Sequence, residues 1–451
     1  MTDGSRTAVV LFTRDLRLTD QPALSEAVRT ADRVVPLFVH DAAIERAGFA
    51  TPNRRAFLGE SLADLDGGLR EKGGGLVVRE GDVVEQTVSL AREVGASAIH
   101  LSRDDSAYAA SRLAGLRDAV GRERPVVEHP GATVVPSGEV EPTTGDHYKV
   151  FTPFWRAWSE VAWRGVERAP TRVELPDGVQ APPFERGPVV TGTAPERPRG
   201  GFEEGERLLA GFLDGRLADY PDESDQLARD GTSRLSPHLH FGTVSPRRAA
   251  ELAMARGDEA FTRQLCWRDF HHQVLRAFPA LPRRDYRDRD RGWVEDDRAF
   301  EAWCEGRTGI PIVDAGMRQL LREGWMHNRA RLIVASYLTK EVRVHWRHGA
   351  EFFLAHLADG DLANNSGNWQ WVAGTGNDTR PNRRFNLLRQ AQRFDPDGEY
   401  VRRFVPELSD LRRPEVHEPW RLGAGELRRR GYPEPLLPAH SPDGASTIPG
   451  L

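Results

Sequence analysis

Only two cysteines, Cys266 and Cys304, occur in the 451 residues. They cannot build a disulfide framework, which fits a reducing cytoplasm, and neither sits at a metal-ligand spacing. No run of about 18 apolar residues is present, so no transmembrane helix is expected. The first residues, MTDGSRTAVVLFTRD, lack the pattern of a signal peptide: an apolar strand-like run leads straight into Arg and Asp. An excess of positive charge is missing too. The formal net charge is −5, so any nucleic-acid site has to be a local basic patch. GxGxxG, GxSxG, HExxH and P-loop motifs are absent. His271, His272, His345, His348 and His356 have no acidic or cysteine partners at ligand spacing, so no metal site is expected.

What is present divides unevenly. The length exceeds one ordinary core, so more than one domain is expected. All eleven tryptophans lie after residue 150, eight of them from Trp267 onward. Residues 7–130 alternate strand-like runs, AVVLFT (8–13), RVVPLFV (33–39), GLVVRE (75–80), AIHLS (98–102) and PVVEHP (125–130), with helical patterns. That alternation predicts a doubly wound parallel sheet with helices on both faces. Eleven of the 31 prolines fall between Pro130 and Pro198, which reads as a linker carrying one helix over 151–164, with Phe154, Trp155 and Trp158 on its packing face. From 201 to about 410 apolar residues recur at i, i+3, i+4, the mark of an all-helical region. Residues 410–451 are rich in Pro, Arg and Gly and read as a loosely packed tail. The divisions are therefore 1–130, 131–200 and 201–451.

Four stretches carry chemistry. GTSRLSPHLHFG (231–242) offers hydroxyls and amides ahead of a helix, which suits a phosphate cradle and an ordinary N-cap about equally. In QLCWRDFHHQVL, Gln264, Trp267, Arg268 and His271 follow i, i+3, i+4, i+7, so one helix face carries an amide, an indole, a guanidinium and an imidazole where a core face would be apolar. GWMHNRARL (324–332) and DGDLANN (359–365) place Arg331 to pair with Asp359, because a partly buried Arg needs a carboxylate. RPNRRFNLLRQAQRF (380–394) is Arg-rich and has no acid, a basic patch suited to phosphates. Between the last two, GDLANNSGNWQWVAGTGND sets amides and indoles where core fillers would stand.

FTRDLRLTD, GTSRLSP, WRDF, GWMHNRARL, DGDLANN, NWQW and FVPEL occur in the order and spacing of the photolyase/cryptochrome family, and the chain most resembles its class I cyclobutane pyrimidine dimer photolyases over some nine-tenths of its length. The resemblance implies an α/β antenna domain (Rossmann-like) and a helical FAD-binding domain. It implies that Tyr220, Thr232, Ser233, Arg234, Leu235 and Ser236 hold the FAD phosphates and ribose. Asn328, Arg331, Asp359, Gly360, Asp361 and Asn365 would line the flavin, with Asn365 facing N5. Trp369, Trp346 and Trp293 match the indole relay that photoreduces the flavin. Gln264, Trp267, Arg268, His271, Asn328, Arg329, Trp371 and Gln390 would meet the damaged DNA.

The implied activity is light-driven repair of cyclobutane pyrimidine dimers, by electron transfer from excited FADH⁻ to a flipped-out dimer. A cryptochrome-type photoreceptor without repair is the alternative. Two positions depart from the common pattern: Gln264 stands where many dimer photolyases have Glu, and Leu332 where they have Met. Folate-binding members carry an Asn-Glu pair where this chain has Tyr108, Ala109 and Ala110. The implied antenna is therefore 8-hydroxy-5-deazaflavin, with methenyltetrahydrofolate, FMN or none as alternatives. UV-damaged DNA is the implied partner, and the protein is expected to be a cytoplasmic monomer with no membrane association.

Overall fold

The computed structural model describes residues 5–437 apart from 188 and 378. Five strands form one parallel sheet in the order β3-β2-β1-β4-β5: β1 Thr7–Leu11, β2 Arg33–Asp41, β3 Val77–Gly81, β4 Ala98–Ser102 and β5 Val126–His129. Val9 of β1 sits opposite both Val35 of β2 and Ile99 of β4. The central strands are buried on both faces, which is why they read as continuous apolar runs. Ala8, Val10 and Phe12 belong to one buried cluster with Leu24, Phe57 and Leu65. Val9 and Leu11 belong to another with Val88, Leu90 and Leu116. The period-two alternation of a strand thus feeds two separate cores.

Helices flank the sheet: α1 (Pro22–Thr30), α2 (Pro52–Glu71), α3 (Val83–Glu93) and α4 (Ala107–Val120). Local chemistry starts them. Gln21 accepts from the Ala23 and Leu24 amides with Pro22 in the first turn, and Asp82 accepts from Val84 and Glu85. Because strand order turns around between β1 and β4, the loops after those two strands flank the crevice where open α/β sheets bind ligands.

Among the described residues from 131 to 200 one helix forms, α5 (Phe151–Glu160). Phe154 and Trp158 are buried in it and Trp155 packs partly, against Phe212 and Phe270 of the helical region. The helices that matter for the site are α6 (Ser236–Phe241), α7 (Ala260–Ala277), α8 (Asn328–Ser336), α9 (Trp346–His356), α10 (Leu362–Ala373) and α11 (Leu387–Phe394). A π-helical turn, Tyr337–Val342, separates α8 from α9. Such turns cluster at functional sites.

The residues after 410 differ from the loose tail expected from composition. Val416, Leu427 and Tyr432 are buried in the same core as Trp303 and Phe353, and the Tyr432 hydroxyl donates to Asp314 at 2.6 Å. A few widely spaced anchors hold the segment down, and Arg and Pro between them hide the pattern. Residues 438–451 lie outside the described part.

Candidate functional site

α10 is the centre of the site. Asp361 caps it, accepting from the Asn364 amide at 2.9 Å. The helix packs against α7, α8 and α9, yet Asn364, Asn365 and Asn368 stay half-buried. Two of these amides bond within the helix segment itself, Asn364 Nδ2 to Asp361 Oδ1 at 2.9 Å and Asn368 Nδ2 to the Asn364 carbonyl at 2.8 Å. Two glycines set the neighbours. A methyl group at Gly367 would overlap His271 Nδ1 on α7, and one at Gly349 would overlap the Trp369 ring. Asn365 donates its Nδ2 to the Ala350 carbonyl of α9 at 3.0 Å.

The odd NWQW segment resolves residue by residue. Gln370 is fully buried, donating to Leu281 and Arg284 carbonyls at 2.7 and 2.9 Å and accepting from the Tyr286 amide at 2.7 Å. It anchors the 281–286 loop, a role the sequence did not disclose. Trp369 is buried and its Nε1 has no partner. Its ring meets Phe353 at 5.0 Å and Trp303 at 6.0 Å. Trp303, also missed in the sequence, is fully buried and donates to the Val334 carbonyl at 3.0 Å. Trp346 is fully buried with Nε1 on Asp285 at 2.7 Å. Trp293 is half-buried, and His345 lies between these two indoles, 5.0 Å from Trp293 and 5.7 Å from Trp346. Burial thus falls from Trp369 and Trp346 to Trp293.

Arg331 grips Asp359 with both terminal nitrogens, at 3.2 and 2.7 Å, the pairing the sequence suggested. Arg329 grips Asp225 at 3.2 and 2.5 Å and lies 4.4 Å above the Phe394 ring. Asn328 is at the start of α8, within reach of solvent. Gly360 fits close under Arg54 of α2, whose guanidinium would lie 2.5 Å from a methyl there. Arg54 itself donates to the Leu354 and Leu357 carbonyls at 2.5 and 2.9 Å, so a sheet-domain residue caps the end of α9.

The α7 face predicted from QLCWRDFHH runs from outside to inside. Gln264 is exposed and Trp267 half-buried, with one indole face stacked on Phe151 at 3.6 Å. Arg268 and His271, expected to meet DNA, lie inside. Arg268 donates to the carbonyls of Ala132 and Leu239, bracing α7 to the end of the sheet domain. His271 has an unpartnered Nδ1, and burial pushes its pKa down to about 4.

In the 231–242 segment, Thr232, Ser233 and Arg234 are half-buried and Leu235 is core. Arg234 holds φ at +54°, donates to Glu323 at 3.2 Å and covers Trp325 at 4.4 Å. Trp325 donates to Ser236 Oγ at 3.1 Å. Tyr220 stands edge-on to Phe212 and Phe261 at 5.4 and 5.7 Å. Beyond α10, Arg383 lies 5.7 Å over Trp371, Arg383 and Arg384 are exposed, and Gln390 Oε1 is buried without a partner.

Asp361 turns its second oxygen toward the sheet domain. Arg14, in the loop after β1, donates to it at 2.5 Å and to Asp104 at 3.1 Å. Burial works against the Asp361 charge, but His272 and Arg14 outweigh it and hold the carboxyl well below its usual range. Among the described residues no His, Cys, Asp and Glu cluster could hold a metal, and no helix is long and apolar enough to cross a membrane.

A sheet domain braced onto a helical body, with half-buried amides on α10 beside the buried indole of Trp369, suits the family that the sequence resembles. The comparisons with known proteins agree. Residues 261–443 match the family model for the FAD binding domain of DNA photolyase, and residues 8–176 that for DNA photolyase. A deoxyribodipyrimidine photo-lyase of Streptomyces griseus is 50% identical over 95% of this chain and 96% of its own. A class III photolyase from Agrobacterium tumefaciens superposes with a TM-score of 0.86 at 33% identity, covering 97% of this chain and 95% of the other. An archaeal photolyase from Sulfolobus tokodaii, solved with two FAD molecules, superposes at 0.84 with 32% identity and 96% coverage of both chains. The chain belongs to the DNA photolyase/cryptochrome family.

Proposed function

We propose that this protein repairs cyclobutane pyrimidine dimers in UV-damaged DNA with light, as a class I member of its family. The observation that carries the reading is the amide stripe of α10 beside the partnerless indole of Trp369. Half-buried Asn364, Asn365 and Asn368 and the orphaned Trp369 Nε1 fit a planar ring system rich in hydrogen-bonding edges. Tyr220, the hydroxyls of Thr232, Ser233 and Ser236, and Arg331 with Asp359 would hold FAD around that stripe. Reduced FAD supplies the photochemical electron when bound.

The chain's own residues do the rest. A dimer stacks poorly and leaves the duplex at low cost. Trp267 offers the indole face that Phe151 does not cover, and Trp371 offers another. Arg383, Arg384 and Arg389 grip the flanking phosphates and fix register. Gln264, at the open end of α7, donates its amide to the pyrimidine carbonyls. Trp346 and Trp293 lead from the buried Trp369 to the surface.

An antenna chromophore of the 8-hydroxy-5-deazaflavin type belongs at the β1–β4 crevice. Arg112 of α4 is only 9% exposed there with Nε unpartnered, and Asp41 Oδ2 at the end of β2 is likewise buried and unpartnered. FMN or a second FAD would satisfy the same groups. The domains divide near 130 and 200, and a cytoplasmic monomer completes the reading. Protein reduced in the dark and given UV-irradiated DNA should remove dimers only once illuminated. Dark loss, or none under light, contradicts repair; light-driven flavin reduction without repair would point to a photoreceptor.

A further inference from the structure

We propose that His272 is a positioning residue: as a cation between Asp105 of the sheet domain and Asp361 at the head of α10, it fixes the helix that carries Asn365 and Trp369. Its consequence for the cofactor rests on the flavin reading above.

The geometry favours a charged ring: two carboxylates flank it, one on each ring nitrogen. His272 is 1% exposed. Its Nδ1 is hydrogen-bonded to Asp105 Oδ2 at 3.3 Å, and its Nε2 faces Asp361 Oδ2 at 3.4 Å, an ion-pair distance with no hydrogen bond formed. A neutral imidazole has one N–H and can serve one carboxylate, whereas the imidazolium places positive charge and an N–H on both sides. Asp105 follows β4 and also accepts from Ser137 at 2.8 Å. Asp361 is equally tied: its Oδ1 takes the Asn364 amide and side chain, both at 2.9 Å, while its Oδ2 faces Arg14 and His272. One carboxylate therefore links the start of α10 to the sheet domain. The preceding residue of α7, His271, already abuts Gly367 of α10, so the head of α10 cannot shift without sliding against α7.

The surrounding charges are mixed. Arg14 comes from the loop after β1, Asp104 from the loop after β4, Arg112 from α4, Arg54 from α2, His240 from α6, and Arg268 and His271 from α7. His240 is neutral at ordinary pH, since burial and Arg14 push it down to about 4 although Asp361 opposes them. Arg14 is committed to Asp104 and Asp361, and Arg268 to backbone carbonyls. His272 is then the cation that faces Asp105. Burial disfavours its charge, but Asp361 and Asp105 outweigh burial and the repulsion of Arg268, raising its pKa to about 9. A raised pKa means the link is complete below the ordinary value of 6.5 and is lost as pH rises through about 9.

The test follows FAD release, by the fluorescence of freed flavin, and separately the melting temperature of the flavin-free protein, from neutrality to well above pH 9. Wild type should release FAD roughly tenfold faster once pH passes the transition, which corresponds to about 1.4 kcal/mol. His272→Gln should release FAD fast already at neutrality and show no step. Asp105→Asn, which removes one flanking carboxylate, should move the step to lower pH. A step retained in His272→Gln, or unmoved in Asp105→Asn, overturns the proposal. The flavin-free protein should show the same step in melting temperature. If wild type binds no FAD, the flavin reading fails alone, and the melting profiles of the three proteins still decide the role of His272.

Discussion

Gly349 of α9 lies so close to Trp369 of α10 that a methyl group added at 349 would overlap the indole and stand 2.7 Å from Leu338. Trp369, the first indole of the proposed relay, is therefore seated by the absence of a side chain. Gly349→Ala should destabilise the fold by about 1–3 kcal/mol, the usual range for overpacking, and should slow flavin photoreduction because the ring has to move. Gly211, on the exposed face of the helix Phe202–Gly215 with nothing within 4 Å of an added methyl, is the control: Gly211→Ala should be neutral or stabilising by up to about 1 kcal/mol. Denaturant unfolding of the two variants measures both.

The proposed relay should be separable from repair. Trp346→Phe removes the buried indole whose Nε1 is held by Asp285 at 2.7 Å. Illumination of the oxidised variant should no longer accumulate reduced flavin, while protein reduced chemically beforehand repairs normally. Normal photoreduction would take Trp346 out of the path.

On the DNA side, Trp267→Ala should weaken binding to a dimer-containing oligonucleotide by about 1–3 kcal/mol, the value of one base–aromatic stack, with FAD retained. Gln264→Glu should keep or raise the repair yield; a large loss would mean that the pocket is built around the amide. Affinity should fall steeply with salt, since phosphate contacts release counterions. A flat salt titration would contradict a role for the 380–393 arginines.

Acid should unfold the protein earlier than its surface charge suggests. Burial, the largest influence in each case, pushes His238, His240, His271 and His327 down to about 4. Between about 6.5 and 4 the unfolded chain binds more protons at these sites than the folded one, so stability is lost as pH falls through that window. The four together should remove several kcal/mol, since each tenfold weakening of proton binding at one group is worth about 1.4 kcal/mol. A melting temperature independent of pH across the window would contradict this.

The sheet was legible because parallel strands buried on both faces leave unbroken apolar runs, as in AVVLFT and RVVPLFV. The Arg331–Asp359 pair was legible from the demand of a buried cation for a carboxylate. Arg14–Asp361 was not, because the two residues are 347 positions apart and meet only when the sheet domain docks. Gln370 looked like part of a ligand-facing run; it is a buried hub for the 281–286 loop, and a sequence does not distinguish an amide that binds backbone from one that binds a cofactor. Arg268 had the same ambiguity. Its helical spacing put it on the functional face, but that face slopes inward, and its depth was set by packing between domains.

The central claim is light-driven splitting of a dimer beside α10. Its most direct measurement uses protein whose flavin has been reduced in the dark, an oligonucleotide bearing one thymine dimer, and near-ultraviolet light. Recovery of thymine absorbance under light and none in the dark is the predicted result. A bound, reduced flavin that leaves the dimer intact after prolonged illumination would contradict the account.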